Sequence, residues 1–473
     1  MNPERCRLKG CGAAIQFVTV FFCSLNVINA GLEYGWTSAA FPVLLKLEEN
    51  KTEPLVTSEQ GVWIATLPLP GAVIGASVNA FVCDIVGRKP FILFTTIPYA
   101  IHWILISVAN GAPMYYIARV LCGFSSGMAL SAIPMYTGEI SNPKFRGRLC
   151  AVAPMCIVIG VFLINLFCIF LTIQMAALVA LTFSSTSFLG LLFMPESPYF
   201  YLMKNKEEKA LRSLRIFEGK RDVESDLQRM KQAVQEQNEK TNGGFKALVK
   251  NRVDRRSVCI VAFLRAAQPL CGITTLVYYS SVILGENASN LSVKYATMAF
   301  TVALMIAVII GLSIVDVLGR RPLILFSLAG SFVGLTVLAI YIHLKSSDVD
   351  TSSFTFIPLF ALIMVVSFYG VGLQQIPYVL QGELFATSVK ASGVALGLIV
   401  FCVFSLLSSK YFQHMNDKGK GHITIYTFAV FSVVTFVFVL FCMPETKDLS
   451  LEDVQIMMEQ RKLHFKDVVN SPQ

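Results

Sequence analysis

The sequence is poor in charge. Asp, Glu, Lys and Arg together make up 15% of the 473 residues, against about 25% in a typical soluble domain. The 5 His are scattered, and neither a nucleophile–base set nor a phosphate loop indicates an enzyme. The 12 Cys contain no C-x-x-C pair, which speaks against a zinc site or a disulfide framework. We therefore predict a protein that is not an enzyme and that needs no metal and no cofactor.

Apolar residues, by contrast, fill 55% of the chain and come in long runs. Residues 10–32 carry no charge, and about 20 apolar residues are enough to cross a bilayer as a helix. Such segments must be helical, because lipid offers the backbone no hydrogen-bond partner. The predicted fold class is an all-α membrane protein with transmembrane helices over residues 13–38, 59–82, 91–109, 113–140, 148–171, 175–194, 257–283, 294–317, 322–344, 354–384, 391–412 and 422–443.

Basic residues set the predicted orientation, since Lys and Arg are enriched in cytoplasmic loops. Arg88 and Arg320 lie in alternate short loops of one side, which places both termini in the cytoplasm. The net charge of +9 fits this topology, and no nucleic-acid partner is expected. Glycosylation triplets fall only in loops predicted on the other side, at Asn50, Asn287 and Asn290.

The chain divides into five predicted parts. A polar stretch between the sixth and seventh spans has leucines among its charges, which is typical of short amphipathic helices at a cytoplasmic surface. The parts are a cytoplasmic amino terminus (1–12), a six-helix bundle (13–194), a cytoplasmic linker with amphipathic helices (195–256), a second six-helix bundle (257–443) and a cytoplasmic tail (444–473).

The two bundles repeat each other. Short motifs of the first recur in the second in the same order and at a nearly constant offset. Asp84-Ile-Val-Gly-Arg-Lys-Pro90 recurs as Asp316-Val-Leu-Gly-Arg-Arg-Pro322, Gly138-Glu139 as Gly382-Glu383, and Met194-Pro-Glu-Ser197 as Met443-Pro-Glu-Thr446. Parallel repeats of this kind are typical of transporters that alternate access around a site between the halves.

These motifs resemble those of the sugar porters of the major facilitator superfamily, over nearly the whole chain. The loop motif is Gly87-Arg88-Lys89, and the fourth-helix motif includes Arg119-x3-Gly123 and ends at Arg146-Gly147. The PESPR motif ends in Tyr199 instead of Arg, and Asp448 stands where the PETKG motif has Gly. The residues of these motifs are similar to those of the insect facilitated trehalose transporter group. The resemblance implies a multi-pass plasma-membrane transporter of small saccharides in the lipid bilayer, working as a monomer.

Charged motif residues at the predicted cytoplasmic helix ends are candidates for a gate. Opposite charges there can bridge the two bundles or tie helices within one bundle, and only a network would bias an equilibrium, since exposed pairs are each worth about 0.2–1 kcal/mol. The alternative is that they only orient the protein. The candidates are Asp84, Arg88, Glu139, Arg146, Glu196, Asp316, Arg320, Glu383, Lys390 and Glu445.

Two charges lie inside predicted spans, Glu33 in the first and Arg119 in the fourth. Intramembrane ionisable residues usually have partners and often functions. By resemblance, Glu33 matches the carboxylate of proton-coupled family members, which works with the matched Arg. Proton symport through this pair is therefore one hypothesis, and a fixed structural pair is the other.

The solute site is where the sequence departs from the resemblance. The family's seventh-helix motif is reduced to a single Gln, and Pro269 replaces the other. A neutral solute needs hydrogen-bonding side chains and aromatic surfaces. The predicted binding set is Gln268, Thr274, Tyr278, Tyr279, Gln375 and Tyr378. The main hypothesis is facilitated diffusion of trehalose or a related saccharide. The alternatives are proton symport, transport of a non-hexose metabolite, and a nutrient sensor without transport.

Overall fold

A computed structural model describes residues 3–44, 56–141, 146–219, 223–240, 252–287, 293–347, 349–350, 352–385, 390–447, 454 and 457–458. The first six spans are built from helices Pro3–Leu44, Ser58–Thr66, Pro68–Val86, Arg88–Val108, Ala112–Ile140, Arg146–Phe170 and Ile173–Leu192. Helices Pro198–Met203, Glu207–Glu218 and Glu224–Lys240 follow. The last six spans are built from Arg252–Leu270, Ile273–Asn287, Val293–Leu318, Arg320–Ser346, Ile357–Val371, Ile376–Leu384, Lys390–Asp417 and Gly421–Cys442.

Twelve of the described helical segments are long and apolar enough to cross a membrane. Their bounds lie within a few residues of those predicted, and the described part of the chain contains no strand. The all-α, twelve-span prediction is confirmed. We call the end of the spans at which Arg88 and Arg320 begin helices the basic end, and the other end the opposite end.

Small residues let helices of the first half approach closely. A Cβ added to Gly123 would collide with the backbone of Pro68, and one added to Gly127 would collide with the backbone of Ala72. Gly71 and Gly75 are in the same way closed off by the backbone of the fourth span. These glycine pairs therefore serve packing, as their spacing predicts.

Two spans of the second half are interrupted near the middle of the protein. The seventh span turns at Gly272, where φ is +92° and the ring of Phe428 leaves no room for a Cβ. The tenth span is broken between Val371 and Ile376. Interrupted helices expose backbone groups, which at membrane depth are tolerated only inside protein or beside a cavity.

One set of contacts between the two halves is made by neutral side chains toward the opposite end. The Ser38 hydroxyl lies 2.7 Å from that of Ser280, and Ser281 donates to the Ser38 carbonyl at 2.6 Å. The ring of Tyr279 packs between Phe41 and Phe412, with centroids 5.5 and 5.2 Å away. We call these six residues the seam. The seam joins the first span to the seventh and eleventh.

The linker helices pack as a small unit beside the basic end. Their apolar core includes Leu202, Leu214 and Leu227. Gln16 of the first span donates to the Phe217 carbonyl at 2.8 Å. The amphipathic helices predicted between the halves are therefore present, although their cytoplasmic placement stays a prediction, as do the five chain divisions.

Candidate functional site

At the basic end of the first half, charges tie three parts of one bundle together. The buried guanidinium of Arg88 lies 2.6 Å from Asp84 and 3.1 Å from Glu139. Ser197, after the sixth span, donates to the same Glu139 carboxylate. The partners of Arg88 thus come from the second and fourth spans of its own half.

The second half repeats the arginine–glutamate and hydroxyl–glutamate contacts of this arrangement. Arg320 lies 2.9 Å from Glu383, and Thr446 donates to Glu383 at 2.6 Å. Arg320 also donates to the Val315 carbonyl, as Arg88 does to that of Cys83. Of the two arrangements that the sequence left open, these ion pairs adopt the second, because they join helices within a bundle.

Glu196 and Glu445 cap the N-termini of helices. The Glu196 carboxylate accepts the backbone N–H of Lys89 at 3.2 Å, at the start of the third span. Glu445 accepts the N–H groups of Arg320 and Arg321, both at 2.9 Å, at the start of the ninth. A carboxylate at this position satisfies helix N–H groups and complements the positive end of the helix dipole.

The two caps differ in their proton affinity. Burial raises the pKa of Glu196, and the backbone N–H donors of Ser197 and Lys89 only partly offset it. Burial acts in the same direction on Glu445, but N–H donors from Arg320, Arg321, Lys447 and Thr446 outweigh it and hold the pKa of Glu445 below its usual value. Glu445 is therefore the more firmly ionised cap.

In the interior of the first half, Glu33 and Arg119 lie together as predicted. Arg119 is fully buried, with NH1 3.4 Å from the Glu33 carboxylate and 3.1 Å from the Glu33 carbonyl. It also donates to the Thr37 hydroxyl at 2.7 Å and the Ile64 carbonyl at 2.9 Å, and it lies over the Trp36 ring. Arg119 is thus held by several partners, whereas the buried Glu33 Oε1 accepts no hydrogen bond from the described residues and has only the 3.4 Å contact with Arg119.

In the second half, Gln268 of the interrupted seventh span binds the interruption of the tenth span. Its amide donates to the carbonyls of Leu373 and Gln374 at 3.0 and 3.3 Å, in the interruption of the tenth span. The hydroxyl of Ser327 accepts the Leu373 N–H at 3.0 Å. Backbone groups released by the break are thus satisfied, and Gln268 is held at the centre of the protein.

Thr274, Tyr278 and Tyr378 gather around the same centre. Thr274 lies 3.1 Å from the Ser405 hydroxyl. The Tyr278 ring lies 4.9 Å from that of Tyr34, which the first span contributes. The central cluster, which we define as Gln268, Thr274, Tyr278, Tyr378, Ser405 and Tyr34, therefore lies where the two halves face each other.

Two members of the predicted binding set point elsewhere. Tyr279 belongs to the seam, because consecutive residues of a helix face directions about 100° apart. The Gln375 amide donates to the carbonyls of Val308 and Gly370, at 2.7 and 3.0 Å, and so faces the eighth span. The structure does not bring either of them into the central cluster.

The sequence analysis missed two residues at the centre. Tyr34 directly follows Glu33, and the charge of Glu33 directed the prediction to that residue instead. Arg265 is a third buried charge within a span, 1% exposed, three residues before Gln268. The signal was present, since residue 265 lies well inside the predicted seventh span.

Several predicted residues lie outside the part of the chain that the structure describes. Asn50 and Asn290 are among them, and so are the side chains of Arg146, Asp316, Lys390 and Asn287. Their proposed roles in gating and glycosylation stay predictions.

Nearly the whole chain matches a known protein family. Residues 18–458 match the family described as sugar (and other) transporter. The chain belongs to this family. The family prediction made from the motifs is thereby confirmed, and sugar transport is the function that the membership supports.

Relatives and solved structures extend the match over nearly the full length. The facilitated trehalose transporter Tret1 of Bombyx mori is 28% identical, over 97% of this chain and 90% of that protein. The protein of the same name from Anopheles gambiae is 26% identical over 96% of this chain, which spans 58% of its length.

Among solved structures, the proton:xylose symporter XylE bound to 6-bromo-6-deoxy-D-glucose has a TM-score of 0.75 and 18% identity, covering 94% of this chain and all of that one. A partially occluded inward-open form of XylE from E. coli also has a TM-score of 0.75, with 17% identity, and covers 92% of this transporter. These similarities show a shared major facilitator fold.

Proposed function

We propose that this transporter moves a saccharide across the plasma membrane by alternating access, as facilitated diffusion, with trehalose as the first candidate. The observation that carries the proposal is the central cluster, where Tyr34 of the first half faces hydroxyl, amide and aromatic groups of the second half. Neutral polar groups and ring faces are what a saccharide requires. The trehalose relatives and the carrier fold support the same proposal.

The same proposal includes the topology and the state of assembly. The basic end faces the cytoplasm, both termini lie there, the protein works as a monomer, and it has no enzymatic activity. The clustering of Arg88, Lys89, Arg320 and Arg321 at one end supports this orientation. Closure of the seam then corresponds to a carrier shut toward the outside.

Uptake of labelled trehalose and glucose by cells expressing the protein tests the proposal, with and without an inward proton gradient. Saturable trehalose uptake that ignores the gradient is expected. A Tyr34→Ala variant should lower uptake at least tenfold, while Lys418→Gln, which changes an exposed residue, should leave it intact. Failure of surface-expressed protein to move either sugar would contradict the proposal.

Proton symport is the second candidate, favoured by the buried contact of Glu33 with Arg119. If it holds, adding sugar makes the external medium more alkaline, and Glu33→Gln abolishes this response while sugar binding survives. If an inward proton gradient has no effect on uptake by the unmodified protein, facilitated diffusion stands and symport does not.

A further inference from the structure

Arg265 differs from the other buried arginines of the described spans. Arg88 pairs with Glu139, Arg119 with Glu33, and Arg320 with Glu383. Among the residues that the structure describes, no carboxylate forms an ion pair with Arg265, although the side chain is only 1% exposed. An uncompensated buried charge is costly, so it is rarely retained without a use.

The contacts of Arg265 are all neutral. Its Nε donates to the Gly397 carbonyl at 3.3 Å and its NH1 to the Gln268 amide oxygen at 2.7 Å. Its guanidinium carbon lies 4.3 Å from the ring centroid of Tyr378 and 4.8 Å from that of Phe401. Two of the five N–H donors are accounted for by these bonds, and the rings hold the group in place without neutralising it.

Arg265 also lies beside the central cluster. Gln268 and Tyr378, which contact it, are both members, and Thr274 is on the helix that follows the break at Gly272. A solute bound between the halves therefore meets a fixed cation. Guanidinium groups bind planar carboxylates through paired, charge-assisted hydrogen bonds.

We propose that Arg265 favours a solute that carries a carboxylate, so that a carboxylated saccharide is bound more tightly than the matching neutral one. The inference rests on the proposed saccharide transport and names the substrate class for the same site. A single carboxylate neutralises the one buried charge. A phosphate ester carries a charge of about −1.5 to −2 at neutral pH and would leave excess negative charge in the interior.

Glucuronate and glucose are matched probes, because they share the pyranose ring and differ by a carboxylate in place of the terminal hydroxymethyl group. Binding to purified protein is measured as the rise in melting temperature with concentration of each probe. Uptake of labelled glucuronate, glucose and trehalose into proteoliposomes is measured in parallel. The unmodified protein is expected to bind glucuronate at least tenfold more tightly than glucose.

Variants test whether the guanidinium of Arg265 causes this preference for glucuronate. Arg265→Gln should abolish the difference between the two probes, and Arg265→Lys should retain part of it. Lys418→Gln removes one exposed positive charge and should change nothing. If Arg265→Gln does not fold, the comparison of probes on the unmodified protein still decides the matter.

The outcomes separate this inference from the proposed function. Trehalose uptake without any preference for glucuronate overturns the carboxylate inference and leaves saccharide transport standing. Preference for glucuronate without uptake of neutral sugars supports the inference and overturns trehalose as the solute. Equal binding of both probes to the unmodified protein and to Arg265→Gln overturns the inference whatever the uptake shows.

Discussion

The two halves of this transporter match closely at the basic end and differ in the interior. At the basic end, Arg88, Glu139 and Glu196 have counterparts in Arg320, Glu383 and Glu445 that make the same contacts. In the interior, the first half holds a paired arginine and the second an arginine without a carboxylate partner among the described residues. The contacts that hold helix ends are alike in the two halves, whereas those of the interior differ.

The largest expected effect concerns the two interior arginines, Arg119 and Arg265. Arg119→Met leaves Glu33 buried without a partner and should cost about 3–5 kcal/mol of stability. Arg265→Met leaves no charge behind but loses two hydrogen bonds, each worth about 0.5–1.5 kcal/mol, and should therefore cost about 1–3 kcal/mol. Thermal unfolding of both variants in detergent measures the difference. A Glu33→Gln/Arg119→Met double variant should recover stability, and equal losses for the two single variants would contradict the contrast.

The second effect compares the ion pairs at the basic end. Arg88 is 3% exposed and lies 3.1 Å from Glu139, whereas Arg320 is 12% exposed and lies 2.9 Å from Glu383. The coupling energy from a double-mutant cycle of Arg88 with Glu139 should therefore approach about 3 kcal/mol, and that of Arg320 with Glu383 about 1.5 kcal/mol. Couplings of equal size would show that burial does not distinguish the halves.

The third effect concerns the glycines that precede the capped helices. A Cβ on Gly87 would lie 2.5 Å from a Glu196 oxygen and one on Gly319 would lie 2.9 Å from a Glu445 oxygen, and both residues have positive φ. Replacing either by Ala should destabilise the protein by more than about 1 kcal/mol, with Gly87→Ala the worse. Gly138 is the control, because its surroundings are open and Ala favours a helix. A neutral Gly87→Ala would be incompatible with this account.

The smallest effect depends on pH. Because the pKa of Glu196 is raised, the folded protein binds its proton more tightly than the unfolded chain does. The unmodified protein should therefore gain stability relative to Glu196→Gln as the pH falls from 7.5 to 5.

Glu445, with its lowered pKa, contributes stability that is present above the unfolded pKa and lost only on further acidification. The cost of Glu445→Gln should thus be constant between pH 7.5 and 5. Melting temperatures at both pH values test the two caps side by side, and parallel pH profiles would refute the assigned difference.

The sequence was sufficient for the spans, because hydrophobic runs and repeated motifs are local features. It also placed Glu33 with Arg119, which resemblance suggested. It could not show that Gln375 turns toward the eighth span, since the break after Val371 removes the helical periodicity on which facing directions depend. Nor could it show that Tyr278 faces the central cluster and Tyr279 the seam, because this depends on how the seventh span is rotated about its axis.

Arg265 escaped prediction for a different reason. Positive charges in a membrane protein are first attributed to topology, and one arginine within an apolar segment gives no sign of its partner. The two caps were likewise expected to be gating charges, because a sequence does not reveal which backbone N–H groups a distant carboxylate will reach.

The neutral character of the seam has an electrical consequence. The side chains that must separate there, those of Ser38, Ser280, Phe41 and Tyr279, carry no charge. A unit charge displaced through a membrane field costs about 2.3 kcal/mol per 100 mV. Parting these residues moves none, so any voltage dependence of opening must come from charges outside the seam, such as Lys410 of the eleventh span, whose Nζ lies 3.5 Å from the Trp63 ring of the second span.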